Sequence, residues 1–267
     1  MTRADEIRQG TETQALRTGG RTARELRALS IERGFNLYAE GSAMIKLGST
    51  IVHCTASVED RAPGFLRGSG TGWLTAEYDM LPRATHDRTQ RDVQKGRING
   101  RSSEIQRLIG RSLRSALDLD AIGERTVWID CDVLQADGGT RTASITCGFV
   151  CLVDAMRTLR KNLSLPKLPM SAQVGAVSVG KVGGAMLLDL DYEEDKSADV
   201  DCNIVMNGKG EFVELQGTGE NGFFSRSELD EILFVAGEGL QKIFELQREV
   251  LSLSPEEAEL FDGFSSK

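Results

Sequence analysis

A chain of 267 residues and 29.1 kDa has room for one large domain or two small ones. Hydrophobic residues make up 40% and charged residues 27%, a globular composition that excludes a disordered or fibrous chain. Forty acidic residues against 32 basic ones give a net charge of −8, so there is no general basic coat for nucleic acid and any local basic patch is informative.

From Met1 to about Ala28 the chain is polar, rich in Arg, Thr and Gly, and reads as a loose start without an apolar run of signal-peptide length. Short apolar groups at Leu37–Tyr38, Ser42–Leu47 and Thr50–Val58, with Gly48-Ser49 between the last two, predict hairpin-connected strands. Arg61–Gly72 reads as a loop, Trp73–Tyr78 as a short strand, and Met80–Gly100 as polar and aperiodic. Ile105, Leu108, Ile109, Leu113, Ala116 and Leu117 then recur at helical spacing, with Ser102 or Ser103 placed to cap the start. Thr126–Leu134 reads as a buried strand. Gly138-Gly139-Thr140-Arg141 leads from it into a second helix with Ile145, Phe149, Leu152, Val153, Met156 and Leu159 on one face. Beyond Pro166 and Pro169, strands are predicted near Ala176–Lys181, Ala185–Tyr192, Asn203–Asn207 and Glu211–Gln216. Ser225-x-x-Glu228 is a capping box opening a long last helix to about Leu251, and the acidic tail from Ser254 is expected to fray.

Strands first, helices interleaved in the middle, then strands and a final helix make an α+β order within one domain. The expected organisation is a polar extension over 1–20, a body over 21–252 and an acidic tail over 253–267. No 18-residue run is uninterruptedly apolar, so no membrane crossing is expected. The five cysteines, at 54, 131, 147, 151 and 202, lack CxxC or Cys/His pairing and read as reduced, buried thiols of a cytoplasmic protein.

The charge is strongly local. Between 83 and 114 lie nine basic residues (Arg83, Arg88, Arg91, Lys95, Arg97, Arg101, Arg107, Arg111, Arg114) against Asp87, Asp92 and Glu104. Arginine recognises phosphate through paired donors, so the aperiodic part, with Arg83, Arg88 and Arg91, reads as a polyanion contact. Arg107, Arg111 and Arg114, at helical spacing, read rather as a solvated face with ion pairs. Arg101 sits where a helix starts and a cation is disfavoured. It either shares an anion with the helix N–H groups or is simply a poor start.

Asp137-Gly138-Gly139-Thr140-Arg141-Thr142 lies between a strand and a helix and is either an anion cradle or a tight turn. Asp189, Asp191, Glu193, Glu194, Asp195, Asp199 and Asp201 form an acidic run opposed by Lys196 alone. Asp195 and Asp201 converging across a loop would suit Mg²⁺, which takes one or two carboxylates and completes its shell with water and phosphate oxygens. A charged, solvated hairpin is the other reading of that run. His53, in a probable strand, reads as packed, and no nucleophile motif accompanies these features. Phosphoryl transfer needs little beyond positioning and charge neutralisation.

The run from Cys131 to Ile145, CDVLQADGGTRTASI, resembles the ribonuclease PH family. Supporting blocks are AEGS (Ala39–Ser42), CTAS (Cys54–Ser57), GWLTAEY (Gly72–Tyr78), MLPR (Met80–Arg83), GRSSEIQRLI (Gly100–Ile109) and ELQGT (Glu214–Thr218). The likeness runs from about Arg21 to the final helix, with Cys147-Gly148 a mild departure where glycine and alanine are expected.

The resemblance implies a ribosomal-protein-S5-domain-2-like α+β fold of mixed sheets packed with helices. It implies a phosphorolytic 3′→5′ exoribonuclease that trims the 3′ ends of transfer RNA precursors, releasing nucleoside diphosphates with inorganic phosphate as co-substrate. It matches Arg101 with a phosphate-binding arginine, Gly139, Thr140 and Arg141 with a phosphate loop, and Asp195 and Asp201 with a metal-binding, catalytic acidic pair. Arg83, Arg88 and Arg91 match positions of RNA binding or ring assembly, and the implied assembly is a hexamer, a trimer of dimers. The rival expectations are a non-catalytic RNA-binding ring subunit, which would have lost the phosphate loop or the acidic pair, and a hydrolytic metal-dependent nuclease, which would ignore added phosphate.

Overall fold

Two sheets share one central helix. The structure is a computed structural model and describes residues 17–91, 96 and 99–261. The first sheet contains β1 (Leu29–Arg33), β2 (Gly41–Leu47), β3 (Thr50–Glu59), β4 (Trp73–Met80) and β5 (Thr126–Gln135), in the order β1-β2-β3-β5-β4. Strands β2 and β3 pair from Leu47↔Thr50 outward, leaving the two-residue turn Gly48-Ser49, where Gly48 takes φ +57°. Val52, Cys54 and Ala56 of β3 lie opposite Val133, Cys131 and Ile129 of β5, and all six are buried. Strand β4 joins β5 in parallel, and the crossover between them is helix α1 (Gly100–Arg114).

The second sheet is antiparallel, with β6 (Val174–Val182), β7 (Ala185–Leu188), β8 (Val200–Asn207) and β9 (Phe212–Gly219) in the order β7-β6-β8-β9. Helix α2 (Thr140–Leu163) lies between the sheets, against β2 and β3 on one side and β6 on the other. It crosses α1 closely. A Cβ on Gly148 would lie 3.0 Å from Leu113 Cδ1 and 3.2 Å from Ile129 Cγ2, so position 148 is tight for anything larger than glycine, and Cys147 beside it is buried. By length and composition α2 passes for a membrane span, but 83% of its apolar window is buried within the fold, which makes it the core helix. Helix α4 (Arg226–Leu251), opened by the reciprocal Ser225/Glu228 capping box, covers β6 and β7.

Four expectations are corrected. The segment before Ala28 is not loose from residue 17 onward, because Arg17, Arg21 and Arg27 are buried in ion pairs. Leu37 and Tyr38 lie outside any strand and are 88% and 91% exposed; the strand of this region is β1, upstream. The acidic run contains a helix, α3 (Tyr192–Ser197), where a connecting loop was expected. The acidic tail also forms a helix as far as it is described, α5 (Pro255–Phe261). Its Phe261 is buried edge-on against Phe149 at 5.7 Å, and Glu257 receives two hydrogen bonds from Arg157.

Candidate active site

Strand β5 ends at Gln135 and α2 begins at Thr140, so residues 136–139 make a sharp turn that only glycine at two positions permits. Gly138 and Gly139 take φ +75° and +65°. A Cβ on Gly138 would lie 2.5 Å from the Leu190 carbonyl oxygen, and one on Gly139 would lie 2.9 Å from Arg27 Nη2. Gly139 is the N-cap of α2 and offers no capping side chain, and the first turn holds no acidic residue. The helix therefore presents its positive end to whatever fills the space in front of it. At that end the Thr140 hydroxyl is hydrogen-bonded to the Tyr78 hydroxyl at 2.8 Å, and Arg141 Nη1 donates to Gln216 Oε1 at 3.1 Å and Glu104 Oε1 at 3.4 Å.

The carboxylates come from the second sheet. Asp191 caps α3 in a reciprocal box with Glu194, which sets Asp195 one residue further along that short helix. Asp201 stands on β8 between Gly180 of β6 and Thr218 of β9. Burial pushes the Asp195 carboxyl above its ordinary pKa, a rise that the Arg101 and Arg141 charges partly offset. Asp201 goes further, to about 6, through burial and then the nearby Asp195 charge, against the attraction of Arg141 and a hydrogen bond from Asn203. Arg101 and Arg141, from α1 and α2, thus act on Asp195 of α3, and Arg141 and Asp195 act on Asp201 of β8.

They do so around one cavity of about 1280 Å³. Arg101, Gly139, Thr140, Arg141, Asp195 and Asp201 all line it. The Gly138–Arg141 turn and the Asp195 and Asp201 carboxylates therefore open on the same cavity and not on separate surfaces. Arg83, Arg88 and Arg91 are exposed and do not line the cavity, although Thr85, His86, Asp87 and Thr89 of the same segment do. Lys95 and Arg97 fall outside the described residues. Arg111 makes a two-pronged ion pair with Glu214, and Arg114 lies 4.4 Å over the Trp73 ring, as expected of a structural helix face. His53 packs against Phe35 at 5.4 Å, again as expected.

Two details differ from expectation. Asn99, not Ser102 or Ser103, caps α1, and its side chain takes the Arg101 N–H at 3.1 Å. That amide is therefore spent on the cap, and Arg101 contributes its guanidinium. The acidic run also divides in function. Asp189, Asp191 and Glu194 are buried and held by Arg17, Arg21 and Arg27, leaving Asp195 and Asp201 for the cavity. Tyr78, Gln216, Thr50 and Arg27, which shape the site, were not singled out from the sequence. Among the described residues no group of three or more His, Cys, Asp or Glu side chains is arranged to hold a metal, so any cation there would rest on the two aspartates and on oxygens from outside the protein.

An α+β fold that brings two arginines, an uncapped helix start and a desolvated carboxylate pair to one cavity defines a class of protein that handles phosphate or phosphoesters. Residues 25–157 match the 3′ exoribonuclease family, domain 1, and residues 172–239 match domain 2 of that family. The chain is 53% identical to the ribonuclease PH of Moorella thermoacetica over 236 residues, 88% of this chain and 94% of that one. It belongs to the 3′ exoribonuclease family. Its fold is shared with rice (Oryza sativa) Rrp46, at a TM-score of 0.71 and 19% identity over 88% of this chain and 100% of that one. It is shared too with a chain of the Archaeoglobus fulgidus exosome with RNA bound to the active site, at a TM-score of 0.73 and 23% identity over 90% and 97%.

Proposed function

We propose that the protein is a phosphorolytic 3′→5′ exoribonuclease that trims the 3′ ends of transfer RNA precursors and releases nucleoside diphosphates. The observation that carries this reading is the convergence of Arg101, Arg141 and the Gly139–Thr140 turn with Asp195 and Asp201 in one cavity. Orthophosphate is already an oxygen nucleophile and needs no protein base. It needs to be held in line with the terminal phosphodiester. Arg101 and Arg141 grip it from two elements, and the start of α2 supplies aligned N–H groups. The phosphate oxygen attacks the terminal phosphorus, the bond to the 3′ oxygen of the preceding nucleotide breaks, and that oxygen takes up a proton.

Charge balance argues for a divalent cation. The two arginines no more than cancel Asp195 and Asp201, so phosphate and an RNA phosphodiester would add uncompensated negative charge to a desolvated space. Two carboxylates that burial and mutual repulsion make hard to ionise are a suitable oxygen donor set for Mg²⁺, with water and substrate oxygens filling its shell. When bound, the ion would offset charge on the scissile phosphate and the leaving oxygen. A ring assembly, a hexamer built as a trimer of dimers, is part of the proposal. It is supported by the fold that the chain shares with chains of archaeal exosomes, which are multi-chain assemblies.

The test is an RNA with a 3′ extension incubated with and without inorganic phosphate. Nucleoside diphosphates appearing only with phosphate support the proposal. Monophosphates released regardless of phosphate would establish a hydrolytic enzyme, and no release under any condition a binding subunit. Chelation should abolish the activity and Mg²⁺ restore it, and gel filtration showing only monomer would defeat the ring.

A further inference from the structure

We propose that Arg27 is a positioning residue for phosphate, which it never touches, because it sets the direction of the peptide groups that do. The inference rests on the phosphorolytic reading and concerns a residue outside the cavity lining. Arg27 is buried just before β1, and its donors go two ways. The backbone N–H and Nε reach Asp189 Oδ2 at 2.8 and 2.9 Å, and Nη2 reaches Oδ1 at 2.7 Å. Nη1 donates to the Asp137 carbonyl, and Nη2 also reaches the Gly138 carbonyl at 3.4 Å. From a further direction the Thr50 hydroxyl donates to the Gly138 carbonyl at 2.7 Å and accepts from the Asp137 N–H at 2.9 Å.

Peptide planarity turns this grip into a directional effect. In a trans peptide the N–H points opposite to the C=O, so holding the Asp137 and Gly138 carbonyls on the Arg27 side turns the Gly138 and Gly139 N–H groups away from it. Both glycines line the cavity. Left-handed glycines are otherwise the most pliable residues of the site, and nothing in their own side chains fixes them. The contribution is geometric, because the Arg27 charge is cancelled by Asp189 within the same buried ion pair. Asp189 in turn occupies a left-handed conformation, φ +55°, and leads into Leu190 and Asp191, the backbone against which Gly138 is wedged. One guanidinium therefore ties the phosphate turn to the approach of the helix that carries Asp195.

The test uses the intact, assembled protein with Arg27→Lys and Thr50→Val. The first keeps the charge beside Asp189 but loses the fork that reaches both carbonyls. The second leaves the Arg27–Asp189 pair alone and removes the other hold on the same carbonyl. Both should raise KM for phosphate, and the Kd of inorganic phosphate by calorimetry, about tenfold, with KM for RNA within about twofold of wild type. The salt dependence of phosphate binding should not change, since no net charge is lost. If Arg27→Lys fails to fold, Thr50→Val decides. A wild-type Kd for phosphate in the folded variants, whatever their thermal stability, would overturn the inference, and so would equal rises in KM for phosphate and RNA. Phosphate-independent cleavage by the wild type would instead overturn the phosphorolytic reading, while the calorimetric comparison still judged Arg27.

Discussion

Arg101 and Arg141 play different parts in holding phosphate. Arg141 is already steadied by Gln216 and Glu104, whereas Arg101 is an exposed guanidinium at the cavity wall. Arg101→Ala should therefore raise KM for phosphate by about a hundredfold, and Arg101→Lys by about tenfold, because an ammonium keeps the charge and loses the paired donors. Neither should change the melting temperature appreciably. Steady-state kinetics with phosphate varied at saturating RNA provides the check, and an unaltered KM in the alanine variant would remove Arg101 from the site. Asp201→Asn should act in the opposite sense. Turnover falls by about a hundredfold or more, yet phosphate binding measured by calorimetry does not weaken, since a negative charge has left its surroundings. Arg101, Gly139–Arg141, Asp195 and Asp201 are visible in the sequence as local oddities, each with a purely structural reading beside it, and only the family resemblance gives them roles. Arg17, Arg21 and Arg27 do not stand out at all, because their partners lie more than 160 residues away and long-range ion pairs leave no periodic trace.

The elements show the same division between local and remote causes. Helices α2 and α4 were legible from apolar spacing and, for α4, from the Ser225/Glu228 box. Helix α3 carries a box of the same kind, Asp191-x-x-Glu194, but six residues give no apolar period to go with it. The acidic composition of α5 predicts fraying, and its order comes from docking. Arg157 holds Glu257 at 2.8 and 2.7 Å, and the hydrogen bonds from Arg157, opposed by burial, depress the Glu257 pKa to about 2. A carboxylate whose pKa is lower folded than unfolded stabilises the fold above the unfolded value and loses that contribution as acid reaches the folded one. The docking of α5 should thus weaken between pH 4.5 and about 2, by on the order of 1 kcal/mol for this partly exposed pair. Glu257→Gln should lower the melting temperature at pH 7, and the gap from wild type should close as the pH falls to about 2. A gap independent of pH would mean that the carboxylate charge contributes nothing to the docking.

At the scale of the molecule, a chain of net charge −8 has to attract a polyanion, and the fold concentrates what attraction there is. The cavity lining carries three basic side chains against six acidic ones, so it has no surplus of positive charge for a long RNA. The surplus sits on the segment beside the cavity mouth, where Arg83, Arg88 and Arg91 are exposed while their neighbours Thr85, His86, Asp87 and Thr89 line the opening. Backbone contacts of this kind lose affinity with salt in proportion to the phosphates neutralised, by about 0.7 of a logarithmic unit per contact for single strands. Reversing Arg88 and Arg91 to Glu together should weaken binding of a long RNA by at least about tenfold and flatten its salt dependence by one to two contacts, roughly in that proportion. Phosphorolysis of a dinucleotide, which ends within the cavity, should proceed as before. The comparison separates the two places where charge acts. Equal losses on long and short substrates would show that these arginines shape the cavity or brace the assembly, whereas loss on long RNA alone would show that the acidic protein draws in its substrate through a strip kept apart from the chemistry.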